Sequence, residues 1–361
     1  MARTLRRIFI AAAVLAALLV VVASVGFLYL RQGPAGGALN LFADGQRADN
    51  FRTLHEALPS RPVAAGGDAW AFEPDERPLP ERYAFEGEER SLGELVLASE
   101  TTGLLVVRDG AIRHEAYFQG YDERSLATSF SVAKSFTSAL VGIALERGQI
   151  RSFDDAISDY VPEFVGSGYE GVAIRDVLTM SSGIAFDEDY ARLGSDVMRL
   201  PLRLFVLRQP VVDVLRRLPR EREPGALQSY ASSDAQALGL LLARATGTTV
   251  AGRLFLDAGR RDDRQVVPEA WVAASVRPGA TTMAPDAAFG AGFGFGYQWW
   301  VPEGDEGDFL AMGIWGQFVY VHPGHRVVIV KTSTDPDYAG RERETVAAFR
   351  AIAAALAGGG S

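Results

Sequence analysis

The sequence predicts an α/β (α+β) architecture: one antiparallel central sheet built from both ends of a single domain, with an inserted helical region over about 140–280 and one N-terminal transmembrane helix in front. Three observations predict it. Strand-like runs occur at 104–117 and return only at 293–333; helical patterns and loops alternate between them; and Ile8 to Leu30 is an unbroken run of apolar or small residues.

At the helical rise the first run spans roughly 35 Å, enough to cross a bilayer. Arg3, Arg6 and Arg7 precede it and only Arg31 follows closely, so the expected topology is cytoplasmic tip and anchor over 1–31, with the folded domain periplasmic or extracellular. A cleaved signal peptide with a small-residue site near Ala23 is the alternative; the run exceeds the usual apolar length of about 7–15 residues. Residues 32–100 read as a Gly/Ala-rich linker, Gln32 to Ala38, and an irregular extension. The main domain is expected over 101–361.

Within it, Leu104–Val107 and Ile112–Tyr117 flank Asp109-Gly110, a hairpin signal. Ala133 to Glu146 reads as an apolar helix ending near Gly148, opened by Ser131. Later strands are expected over Phe293–Val301, Phe309–Val321 and Arg326–Ser333, with His322-Pro323-Gly324-His325 turning between the last two. Glu344 to Leu356 closes the chain as an Ala-rich helix. No internal repeat is visible.

Composition removes several functions. A net charge of −9 and the lack of a basic patch argue against a nucleic-acid partner. With no cysteine there is no disulfide, thiolate metal site or Cys nucleophile. His322 and His325 have metal-like spacing, but Pro-Gly between them fits a turn, so no metal and no organic cofactor are expected. No Gly-x-Ser-x-Gly elbow occurs, and the four histidines are scattered.

The positive signal lies in lysine usage. The chain has 34 arginines and two lysines, and Lys134 stands three residues after Ser131. Guanidinium stays charged, whereas an ammonium can give up its proton, so a spared Lys beside a hydroxyl points to acid–base chemistry. On a helix the two lie one turn apart on the same face. Backbone N–H groups at that N-terminus favour an oxyanion at Ser131. Apolar Phe130, Val132, Ala133 and Phe136 are expected to desolvate Lys134 and favour its amine form.

Ser129-Phe130-Ser131-Val132-Ala133-Lys134-Ser135-Phe136 resembles the nucleophile motif of serine β-lactamases and penicillin-binding proteins. Phe153–Glu163, Val177–Ile184 and Pro224–Asp234 follow in the order and spacing of the class C branch, and the likeness runs from about Thr102 to Ser333. The family's Tyr-x-Asn reads Tyr230-Ala231-Ser232 here, a variant that resembles 6-aminohexanoate-dimer hydrolase-like and esterase-like members.

The resemblance implies that Ser131 is nucleophile, Lys134 general base and Tyr230 proton relay or partial phenolate, with Ser232 in the Asn position. The family's Lys/His-Thr-Gly strand is matched to Gly313–Tyr320, with Gly316 as the close-approach glycine and the Gln317 N–H as second oxyanion donor. No cation precedes Gly316, which weakens a D,D-peptidase or β-lactamase reading, because those substrates carry a carboxylate; Trp315 suggests an apolar wall instead. Asp187, Glu188, Asp189 and Tyr190 fall at the pocket rim, where they could bind a substrate amine or simply be solvated. Trp299 and Trp300 read as core.

One departure is large: Ala251-Gly252-Arg253-Leu254-Phe255 joins Val250 to Val266-Val267-Pro268 almost directly, where relatives have some tens of residues more. The expected function is a serine hydrolase acting on a small-molecule ester or amide through an acyl-enzyme. The alternatives are a D,D-peptidase or β-lactamase, and a catalytically inactive binding module.

Overall fold

The computed structural model describes residues 14, 16–22, 24–25, 41–58, 60, 62, 72–246, 267–278 and 292–358. The chain divides into two compact units, residues 1–60 and 61–361. In the first, helix α1 (Arg47–Ala57) buries Phe51, whose ring meets Phe42 edge-on at 6.2 Å. The expected single-pass anchor over Ile8–Leu30 is not supported. No helix among the described residues is long and apolar enough to cross a membrane. Membrane attachment and the periplasmic or extracellular placement fall with the anchor.

The second unit is built on an eight-stranded sheet. Its N-terminal part supplies β1 (Glu73–Pro74), a separate hairpin of β2 (Arg82–Phe85) and β3 (Glu88–Ser91), helix α2 (Leu92–Ala98), β4 (Thr101–Arg108) and β5 (Ala111–Tyr117). Its C-terminal part supplies β6 (Phe293–Phe295), β7 (Trp300–Pro302), β8 (Phe309–Gly313), β9 (Gln317–His322) and β10 (Val327–Ser333). The strand order β1-β5-β4-β10-β9-β8-β7-β6 joins the two ends along the β4–β10 ladder. All pairs are antiparallel except β1 with β5. Asp109 and Gly110 both take positive φ, as a two-residue hairpin turn of matching twist requires.

Residues 73–98, expected as irregular, carry secondary structure and are tied to the domain. The Tyr83 hydroxyl and Arg90 both donate to Glu344 on the last helix, α9 (Tyr338–Gly358), which covers the sheet through Phe349 against Phe318 and Tyr320. On the other side lie α3 (Val132–Glu146), α4 (Ile174–Leu178), α5 (Asp196–Pro201), α6 (Val211–Leu215), α7 (Ser232–Thr246) and α8 (Glu269–Ser275). Leu140, Ile157, Phe164, Leu178, Leu238 and Leu241 are among the residues that form their shared core.

Two expected strands are hairpins. Phe293–Val301 divides at a turn over 296–299, where Gln298 has φ +64. Phe309–Val321 divides at Ile314-Trp315-Gly316, where Trp315 and Gly316 have φ +63 and +75. A strand cannot pass through two successive left-handed residues, so the chain reverses there. The junction after Val250 lies outside the described residues.

Candidate active site

Helix α3 begins directly behind Ser131, which follows Phe130 at φ +43. Lys134, one turn on, donates from Nζ to Ser131 Oγ at 2.7 Å. Tyr230 closes the group: Lys134 Nζ lies 5.0 Å from its ring centroid. Trp300, buried in the core, stacks on Tyr230 at 5.5 Å and fixes the phenol's plane. Burial pushes the Tyr230 phenol up against the opposing pull of Lys134, and Glu188 pushes it further up. A neutral phenol is therefore the resting form, which suits a relay rather than a phenolate base.

Lys134 is only partly enclosed. Of the four apolar neighbours expected to desolvate it, Phe136 is 49% exposed and Ala133 also faces outward, because the helix turns those positions away from Ser131. The buried face continues instead through Ser135, whose hydroxyl donates to the Gln298 carbonyl and pins α3 to the β6–β7 turn.

Ser232 opens α7 beside Tyr230. Its N–H and hydroxyl both donate to Glu188, at 2.7 and 2.6 Å, and the Tyr190 hydroxyl donates to the same carboxylate at 2.7 Å. Glu188 thus caps the helix that follows Tyr230, a favourable place for negative charge. The rim residues separate: Asp187 pairs with Arg192, Asp189 is exposed, and Glu188 turns inward.

The glycine that lies against Ser131 is Gly313. A Cβ there would sit 2.7 Å from the Ser129 carbonyl oxygen and 3.1 Å from Ser131 N. Gly316 and the Gln317 side chain face another way. A Cβ on Gly316 would meet Ser333 Oγ at 2.4 Å, and the buried Gln317 amide donates to the Trp315 and Ser333 carbonyls. The three-residue turn between β8 and β9 accounts for the offset from the sequence expectation. Trp315 is half-buried, 6.0 Å from the Tyr338 ring. Trp299 packs edge-on against Phe309. His322 and His325 sit in the β9–β10 turn, and no group of three His, Asp or Glu suited to a metal occurs among the described residues.

Sequence reasoning overlooked Asp234. It is fully buried, its Oδ1 accepts from Tyr169 and Ser182 at 2.9 and 2.8 Å, and its Oδ2 meets no donor among the described residues. Its burial beside a phenol was invisible without the fold. Loss of solvation pushes the carboxyl up from 3.8 to about 7. A raised acid favours the fold in its protonated form, so its contribution is complete below pH 4 and is lost as pH rises to 7. That span corresponds to about 4 kcal/mol. Asp234→Asn keeps the Oδ1 acceptor and should remove this fall, seen as the difference between wild-type and variant denaturant midpoints at pH 4 and pH 8. Parallel profiles would contradict it.

Residues 97–263 match the β-lactamase family model. The chain carries a β-lactamase family domain. It is 28% identical over 340 residues to a 6-aminohexanoate-dimer hydrolase of Paenarthrobacter ureafaciens, covering 80% of this chain and 85% of that one. Its fold is similar to a putative 6-aminohexanoate-dimer hydrolase from Bacillus anthracis, with TM-score 0.74, 20% identity, and 88% and 96% of the two chains covered. A putative β-lactamase from Bacteroides dorei follows at TM-score 0.58, 15% identity, and 73% and 97% coverage. The protein is a hydrolase of the β-lactamase fold, in keeping with its amide-hydrolase relative.

Proposed function

We propose that this hydrolase cleaves an amide or ester of a small molecule through an acyl-enzyme on Ser131. The observation that carries this reading is the 2.7 Å contact between Lys134 Nζ and Ser131 Oγ, with the Tyr230 ring 5.0 Å from that nitrogen. In its amine form Lys134 takes the serine proton as Oγ bonds to the carbonyl carbon. Collapse of the tetrahedral intermediate breaks the bond to the leaving amine or alcohol, which receives the proton by way of Tyr230. Water then cleaves the acyl-enzyme, with Lys134 again as base.

The α3 N-terminus and the Ser131 N–H favour the oxyanion. Because Gly313 lies against Ser131, the second donor is assigned to the Ile314 N–H in place of Gln317. Ser232 serves as a positioning group through Glu188.

The strand beside Ser131 reads Phe-Leu-Ala-Met-Gly and brings no cation. That weighs against a β-lactam or cell-wall stem held by its carboxylate; the amide dimer named for the relative also ends in a carboxylate and is favoured by the likeness to that relative alone. Purified enzyme should hydrolyse 6-aminohexanoate dimer or a short amide or ester series, and Ser131→Ala should abolish it. Turnover confined to penicillins or D-Ala-D-Ala peptides would establish the alternative reading.

A further inference from the structure

We propose that Lys331 is a positioning residue for the reaction, acting through Ser333 to hold the turn that sets Gly313 against Ser131; this rests on the acyl-enzyme reading above. In a chain with 34 arginines, the two lysines each touch a serine of this region: Lys134 touches Ser131, and Lys331 donates to Ser333 Oγ at 3.1 Å. Lys331 lies on β10 opposite Phe318 and Leu104 and is 3% exposed.

A hydroxyl has one proton to give. With Lys331 donating to its oxygen, Ser333 directs that proton to the carbonyls of the turn, 2.6 Å from Trp315 O and 2.8 Å from Gly316 O. The turn needs holding, because a left-handed Trp315 costs about 1–2 kcal/mol on its own. The ammonium is close to the turn: a Cβ on Gly316 would lie 3.3 Å from Lys331 Nζ.

Lys331 is a poor choice for stability alone. Burial lowers its ammonium to about 8, with Asp335 pulling up and Arg341 pushing down, and Arg341 itself pairs with Asp335. Charge on this group therefore works against folding at neutral pH. A buried methionine of similar length would fill the same space without that cost. What the ammonium adds is the hydrogen bond to Ser333.

The test is Lys331→Met in the full chain. The expected result is a kcat at least tenfold lower at unchanged KM, with a Tm equal to or above that of the parent. Ser333→Ala should lose a similar factor, and the double variant no more than the worse single, since both break one relay. Amide hydrogen exchange over Ile314–Gln317 should speed up at least tenfold in Lys331→Met. That readout holds even for a chain inactive on every substrate, so it separates failure of this inference from failure of the acyl-enzyme reading. Normal kcat in active enzyme, losses that multiply in the double variant, or unchanged exchange in the turn would each overturn the inference.

Discussion

Lys134→Ala should lower kcat by about 10²–10⁴-fold while leaving the fold intact, the range by which a positioned general base accelerates proton transfer. Lys134 forms no ion pair among the described residues, and its contacts there are Ser131 and Tyr230. Lys134→Arg should be nearly as damaging. Guanidinium keeps the positive charge but cannot take up the Ser131 proton, so the pair of variants separates charge from basicity. Steady-state rates with circular dichroism on both proteins check this. An active Lys134→Arg would remove the general-base role.

Gly313→Ala should cost about 10²-fold in kcat, the effect of misplacing reacting groups by around an ångström. The new Cβ would press on the Ser129 carbonyl and the Ser131 N–H, which are backbone atoms and cannot swing aside. Gly316→Ala makes a useful contrast. There the added atom meets the Ser333 side chain and a left-handed backbone, so stability should fall along with rate. Activity and Tm for both variants distinguish the two glycines. Normal turnover by Gly313→Ala would show that the second oxyanion donor lies elsewhere, with Gln317 the next to test.

Much of this site was legible in the residues. Ser131 and Lys134 lie one helical turn apart, and that spacing alone brings them to one face. The β4–β5 hairpin was carried by Asp109-Gly110, whose φ values only that turn needs. The offset between Gly313 and Gly316 was not legible, because a strand that continues and one that reverses over three residues share the same apolar pattern. Long-range pairing decided it: Ser333 and Asp335 reach back across the sheet to hold Trp315 in place. The inward turn of Glu188 depends likewise on Ser232, 44 positions along the chain. Ile8–Leu30 shows the opposite failure, where composition fitted a membrane span and no described helix of that length bears it out.

Intact mass after exposure to a fluorophosphonate probe tests the central claim most directly, with Ser131→Ala treated in parallel. One phosphonyl adduct is expected on the parent chain, formed by attack of Ser131 Oγ on phosphorus with loss of fluoride, and none on the variant. A folded parent chain that gains no adduct, or a variant that is labelled equally, would contradict it.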